Sequence, residues 1–240
     1  FLTLQPEQYS TINTRNVLPI QDYPRYVSTD TQTISSNNAT NHTFNFPIIQ
    51  LNQIPDTILI FVKPNKNTAS TSAGVAVANY DKFTQSQYYS ITSAQISFNN
   101  ISGILSSCTQ EQLFNISKRN GSQQSYSDFY GQMIVAGNSD SGYIINGEPS
   151  QGSILVLKPV YDFNLPSFLS GGSLGQFGLQ IQLTCQNYTG YAFTQSDMVL
   201  IAVNNGIMVT QQGSSSLYSG LLTKNMVLET KQQKPAIDSS

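Results

Sequence analysis

Histidine is almost missing from this chain of 240 residues; His42 is the only one. Hydrolytic triads and most transition-metal sites draw on imidazole as base or ligand, so a triad hydrolase or a metal-dependent jelly-roll enzyme of the cupin kind has little to build on. His42 itself lies between Asn41 and Thr43 in a polar stretch, where it reads as a solvated side chain. Cysteine is scarce too. Cys108 and Cys185 are too few for a disulfide framework and read as reduced thiols. Cys108 near a helix start has the position of an activated nucleophile, but no histidine lies near it in sequence and its neighbours are apolar. Charged residues make up 10% of the chain, against about 25% in typical soluble domains. With a net charge of −2 and no basic run, a nucleic-acid surface is excluded as a main feature. The 13 acidic residues form no Asp-x-Glu or Glu-x-Glu pair on one strand face and no calcium-type cluster. No apolar run approaches the ~20 residues of a membrane span; the longest, Ile154 to Leu157 and Met198 to Val203, have strand length. The chain begins at Phe1 with neither methionine nor a charged-then-apolar leader and is read as a fragment or processed product. Catalytic, cofactor-binding and metal-binding residues are therefore all expected to be none.

Ser, Thr, Asn, Gln and Tyr take the place of the missing charge. A polar but nearly uncharged surface suits a protein that packs beside copies of itself, and equally a hydroxyl-rich secreted β domain. Six Asn-x-Ser/Thr sequons, at Asn38, Asn41, Asn100, Asn115, Asn120 and Asn187, are what chance placement of such abundant residues produces.

The most informative stretch runs from Gln95 to Gly121. Ala94, Ile96 and Phe98 alternate with Gln95, Ser97 and Asn99, the period of a strand with one buried face. Asn99-Asn100 and Gly103 then favour a turn or bulge. Ser107 with Gln110 three residues on has the spacing of a capping box. Leu113, Phe114 and Ile116 supply an apolar stripe, Lys118 and Arg119 suit the negative end of a helix dipole, and Asn120-Gly121 stops the helix. One short helix is thus expected over about residues 107–120.

Elsewhere the pattern is of short strands. Residues 1–43 read as an arm, because Pro6, Pro19 and Pro24 interrupt any ladder and 28–43 is turn-rich. Pro47 between Phe44-Asn45-Phe46 and Ile48-Ile49 marks an edge strand or a kink. Ile58 to Val62 reads as a strand covered on both faces, and Val75 to Val77 as a short strand after a small-residue loop. Tyr126 to Val135 suggests a further helical turn, Gly137 to Gly152 a surface loop, and Pro166 to Gly175 another loop. Phe177, Leu179, Ile181, Leu183 and Cys185 alternate with polar residues without error. Asn205-Gly206, flanked by apolar runs, is a strong hairpin signal. The expected fold is all-β: an antiparallel jelly-roll sandwich with one short helix inserted. Its expected parts are an arm or linker at 1–43, a domain at 44–228 and a polar tail at 229–240.

The run Ser97 to Phe114 resembles the second jelly roll of the double-jelly-roll major capsid proteins of virophages and polinton-like viruses. Ile54 to Val62 is similar to the family's early strand, and Val199 to Val209 with Gly213 to Ser216 to its closing strands. The family carries two jelly rolls in one polypeptide, whereas this chain has room for one. The resemblance implies a structural, non-enzymatic capsid protein of the virion, without cofactors. It also implies a homotrimer of pseudo-hexameric outline in an icosahedral shell assembled in the host cytoplasm, with neighbouring capsomers and penton or minor capsid proteins as partners. Loops at 63–74, 136–152 and 164–176 would face neighbours or the outer surface. The competing expectation is a receptor- or carbohydrate-binding jelly roll such as a spike head, with Tyr143, Phe163, Phe168 and Tyr191 stacking on sugars.

Overall fold

The computed structural model describes residues 15–36, 39–65, 87–139, 142–166, 168–211 and 214–220. The expected strand at Val75 to Val77, the N-terminal Phe1 to Leu4 and the tail at 229–240 lie outside the described residues.

In chain order the strands are β1 (Arg15–Asp22), β2 (Arg25–Asp30), β3 (Asn41–Asn45), β4 (Ile49–Gln53), β5 (Thr57–Pro64), β6 (Ser90–Phe98) and β7 (Ile101–Ile104). Helices α1 (Gln110–Arg119) and α2 (Tyr126–Tyr130) follow, then the hairpin β8 (Gln132–Ser139) and β9 (Gly142–Pro149). The chain continues through β10 (Leu155–Leu157), the single turn α3 (Pro159–Asp162), β11 (Leu174–Gln186), β12 (Ser196–Gln211) and β13 (Ser214–Ser219). Two antiparallel sheets result. One runs β1-β12-β5-β10, with β2 and β13 also on β12; the other runs β3-β11-β6-β7, with β4 also on β11.

Two of these pairs act as single strands broken once. β1 and β2 lie end to end along β12, with registers Asp22↔Asn204 and Arg25↔Ile201. β3 and β4 do the same along β11, and the break falls at Pro47, as the sequence suggests. Counted this way, and with β13 and the β8–β9 ribbon set aside, the eight remaining strands in chain order occupy the sheets as 1-8-3-6 and 2-7-4-5, the two interleaved Greek keys of a jelly roll. The helices α1 and α2 and the β8–β9 hairpin are one excursion between the fifth and sixth strands.

Alternation builds the core between the sheets. In β11, Phe177, Leu179, Ile181, Leu183 and Cys185 are all buried, while Gln180 and Gln182 are exposed. They meet Ile58, Ile60, Val62, Met198, Leu200 and Ala202 from the opposite sheet in one cluster. In β5 only one face is fully buried, and Leu59 and Phe61 on the other are half-buried. The expectation of full cover on both sides is corrected to that extent.

Several local signals lose to tertiary partners. Within the stretch expected as an arm, β1 and β2 pair along β12 and β3 begins at Asn41. Pro19 does not interrupt the ladder, because β1 is an edge strand and a missing N–H is tolerated on its outer side. Asn205-Gly206 makes no hairpin: β12 continues through it, held by β1 on one side and β13 on the other. Gly206 is required for closeness instead, since a Cβ there would lie 2.7 Å from the Tyr218 carbonyl oxygen. Residues 137–139 and 142–149, expected as a loop, belong to the β8–β9 ribbon, where Gly147 leaves the space that the Gln132 side chain fills. Met133 to Val135 belong to β8, and the extra helical turn is α2. Among the described residues the single expected helix is joined by two shorter ones.

The cap of α1 is also displaced. Thr109, not Ser107, is the N-cap; Gln112 N–H donates to its hydroxyl, and Thr109 N–H donates to Gln112 Oε1 at 2.9 Å. Both Ser107 and Thr109 have a glutamine three residues on, so spacing alone does not choose between them. Leu105 at φ 64° and the bond from Cys108 N–H to the Leu105 carbonyl spend 105–108 on a turn. Gln110 Nε2 reaches across to Ser90 Oγ at 2.7 Å. The stop at Asn120-Gly121 is as expected, with Gly121 at φ 109°.

Candidate functional site

The side chains with the greatest chemical potential are dispersed and engaged in structure. His42 projects inward from β3 and is 8% exposed. This corrects the expectation of a solvated ring. Ser35 N–H donates to its Nε2 at 3.3 Å, and Gln32 Nε2 lies 3.2 Å from Nδ1. Burial holds the imidazole below its ordinary value of 6.5, because the charged form loses solvation. Cys185, the cross-strand partner of His42, is buried in the core, and burial pushes its thiol up. Cys108 is half-buried against the core, and both cysteines are free. Among the described residues no three His, Cys, Asp or Glu side chains converge on a point that could hold a metal.

Of the aromatic set considered for sugar stacking, the Tyr143 side chain lies outside the described residues, and the other three have different surroundings. Phe163 is a core residue whose ring centroid lies 5.6 Å from that of Phe98. Tyr191 packs partly buried on the core, and Phe168 is exposed. Two of the sequons are also inaccessible: Asn120 and Asn187 are both buried, and Asn187 Nδ2 donates to the Ser35 and Tyr191 carbonyls.

What the inserted segment does is close the sandwich. Among the described residues β10 ends its sheet, so the N–H and C=O groups on its far side have no strand partner there. Side chains supply the missing ladder. Gln124 Oε1 accepts from Ile154 N–H at 3.0 Å, and its Nε2 donates to the Gly152 carbonyl at 2.8 Å. Ser117 Oγ accepts from Val156 N–H at 3.1 Å, and Asn120 Nδ2 donates to the Val156 carbonyl at 3.0 Å. Asp162 Oδ2 accepts from Lys158 N–H at 2.7 Å. Asp162 also receives Asn120 Nδ2 and makes an ion pair with Arg119 at 2.6 Å. An edge so occupied cannot add a further strand. In sequence Asn120 is a helix stop and a sequon; its role on this edge depends on a residue 36 positions away.

Large apolar side chains remain exposed on the edges, ends and ribbon: Ile48, Tyr161, Phe168, Leu174, Leu217 and, on β8, Ile134 at 75%. Such exposure is what subunit interfaces cover.

The family model described as the major capsid protein V20 C-terminal domain matches residues 23–206. The chain belongs to that family. Within the capsid family, the putative capsid protein V20 of Sputnik virophage is 28% identical over 219 residues, covering 90% of this chain and 35% of that protein. A chain in the cryo-EM structure of the Sputnik virophage superposes with a TM-score of 0.73 at 25% identity, over 95% of this chain and 43% of that one. The mavirus major capsid protein crystal structure superposes with a TM-score of 0.65 at 16% identity, over 94% and 46%. This V20-type capsid domain thus spans less than half the length of those relatives. The resemblance noted in the sequence and the jelly-roll class are both upheld. The match covers the closed edge as well, since Ser117, Asn120, Gln124, Val156 and Asp162 all fall within 23–206.

Proposed function

We propose that this chain is the C-terminal jelly roll of a virophage-type major capsid protein, whose product is shell geometry and not a chemical reaction. The single observation that carries the reading is the strand order 1-8-3-6 over 2-7-4-5 in a chain matched by the V20 C-terminal domain model over most of its length. In this reading the domain unit begins at β1 and not at residue 44. With a preceding jelly roll it forms a subunit, and three subunits form a capsomer of pseudo-hexameric outline in an icosahedral capsid. Neighbouring capsomers and penton or minor capsid proteins are its further partners, and the host cytoplasm is where it assembles.

The low charge supports this, because few ions must be desolvated when subunits meet. So do the exposed apolar side chains at the edges and ends. The glycan-binding alternative loses support from the burial of Phe163. The test is light scattering on the full-length protein, with this chain joined to its N-terminal half. A mass of three subunits is expected; a monomer across the micromolar range overturns the proposal.

A further inference from the structure

Where β1 gives way to β2, the inner faces of the two sheets part and leave a cavity of about 200 Å³. Asp22 is the cross-strand partner of Asn204, so the two side chains stand together on one face of the sheet. That face is the inner one, since Ala202, two residues from Asn204, belongs to the core. From the opposite sheet, Leu51 and Gln53 project inward along the buried side of β4. The cavity therefore has an apolar floor at Leu51 and Ala202 and a polar wall at Asp22, Gln53 and Asn204. Among the described residues neither lysine nor arginine lines it.

Asn204 is 9% exposed, and its Oδ1 is buried with no hydrogen-bond donor among the described residues. Orphaned acceptors of this kind are rare in folded interiors and imply a donor from elsewhere. An acceptor beside a carboxylate asks for a donor that is also cationic. Acceptors contributed by three strands suit a planar head with five N–H groups better than a compact ammonium, and Leu51 and Ala202 suit an aliphatic stem.

We propose that this cavity is a guanidinium site, filled by an arginine side chain of another capsid subunit. The subunit as source rests on the assembly reading above; the guanidinium preference rests on the cavity alone. The test is an NMR titration of the isotope-labelled 240-residue chain with N-acetyl-arginine methylamide and, separately, N-acetyl-lysine methylamide. Saturable shifts at Ala202 and Asn204 are expected, with the arginine probe binding at least tenfold more tightly. Asp22→Asn, a change at an exposed side chain that leaves the fold intact, is expected to weaken the arginine probe tenfold or more, and Asn204→Leu to abolish its binding. No saturable shift, equal affinity for the two probes, or an unchanged titration in Asp22→Asn overturns the site. If the site binds arginine but Asp22→Asn leaves trimer formation by the full-length protein unaltered, the subunit source is overturned, a result separate from failure of the trimer itself.

Discussion

Asn120, the last residue of the α1 cap, donates its side-chain amide to the Val156 carbonyl at 3.0 Å and so stands in for a neighbouring strand. Ser117, one helical turn earlier, accepts from Val156 N–H. Ser117 is fully buried and Asn120 nearly so, and removing either strands a backbone group out of reach of water. Ser117→Ala is expected to cost about 1–3 kcal/mol, and Asn120→Leu at least as much, since Asp162 also loses a donor. Lys118→Ala, on the exposed side, is expected to change stability by about 0.5 kcal/mol or less. Urea unfolding of the three variants checks the order.

Gly206 has no room for a methyl group against the Tyr218 carbonyl. Gly206→Ala is expected to push β13 away at a cost of about 1–3 kcal/mol. Hydrogen exchange should quicken at Leu217 to Ser219 while β11 stays protected. Were Asn205-Gly206 a mobile turn, the same change would leave β13 untouched.

Acid should weaken the domain through His42. Its folded value lies below 6.5, so the unfolded chain binds the extra proton first, and stability falls as pH drops through and below 6.5. Stability from this group is fully present above that value. His42→Gln is expected to flatten the thermal-stability profile between about pH 7.5 and pH 5; a profile as steep as the parent's would show that other groups set it.

The two thiols should separate cleanly by reactivity. Cys185, 1% exposed with its thiol pushed up by burial, is expected to resist a thiol-specific reagent until the domain unfolds. Cys108, half-buried at the surface, is expected to react in the folded state. Mass spectrometry of the labelled peptides reads both.

Glycan addition, if the chain is passed through a secretory pathway, should skip Asn187, whose amide is buried and bonded to two carbonyls. Asn120 should be skipped too, since its amide is buried and bonded to the Val156 carbonyl and the Asp162 carboxylate. Site-resolved mass spectrometry of the glycopeptides decides it.

Side-chain alternation told the truth wherever both faces of a strand had different surroundings. Phe177 to Cys185 on β11 and Ala94 to Phe98 on β6 were legible because burial on one face demands period two. Pro47 broke the β3–β4 strand for a reason contained in its own ring. Signals that depended on a choice between equals went astray. Ser107 and Thr109 offered the same cap, and the turn at 105–108, together with Ser90, selected the second. The candidate site was scarcely legible at all: the ladder on β10 and the pairing of Asp22 with Asn204 join residues 36 and 182 positions apart.

By itself, then, the order of residues determined that this is a β sandwich with few charges and little catalytic equipment, because periodicity and composition act locally and need no partner. Only the tertiary structure decided that β12 runs straight through Asn205-Gly206, that His42 turns inward, and that a helix seals one sheet edge. Each of those outcomes depends on which distant backbone groups come within hydrogen-bonding reach, a matter settled only when both sheets have closed on their common core.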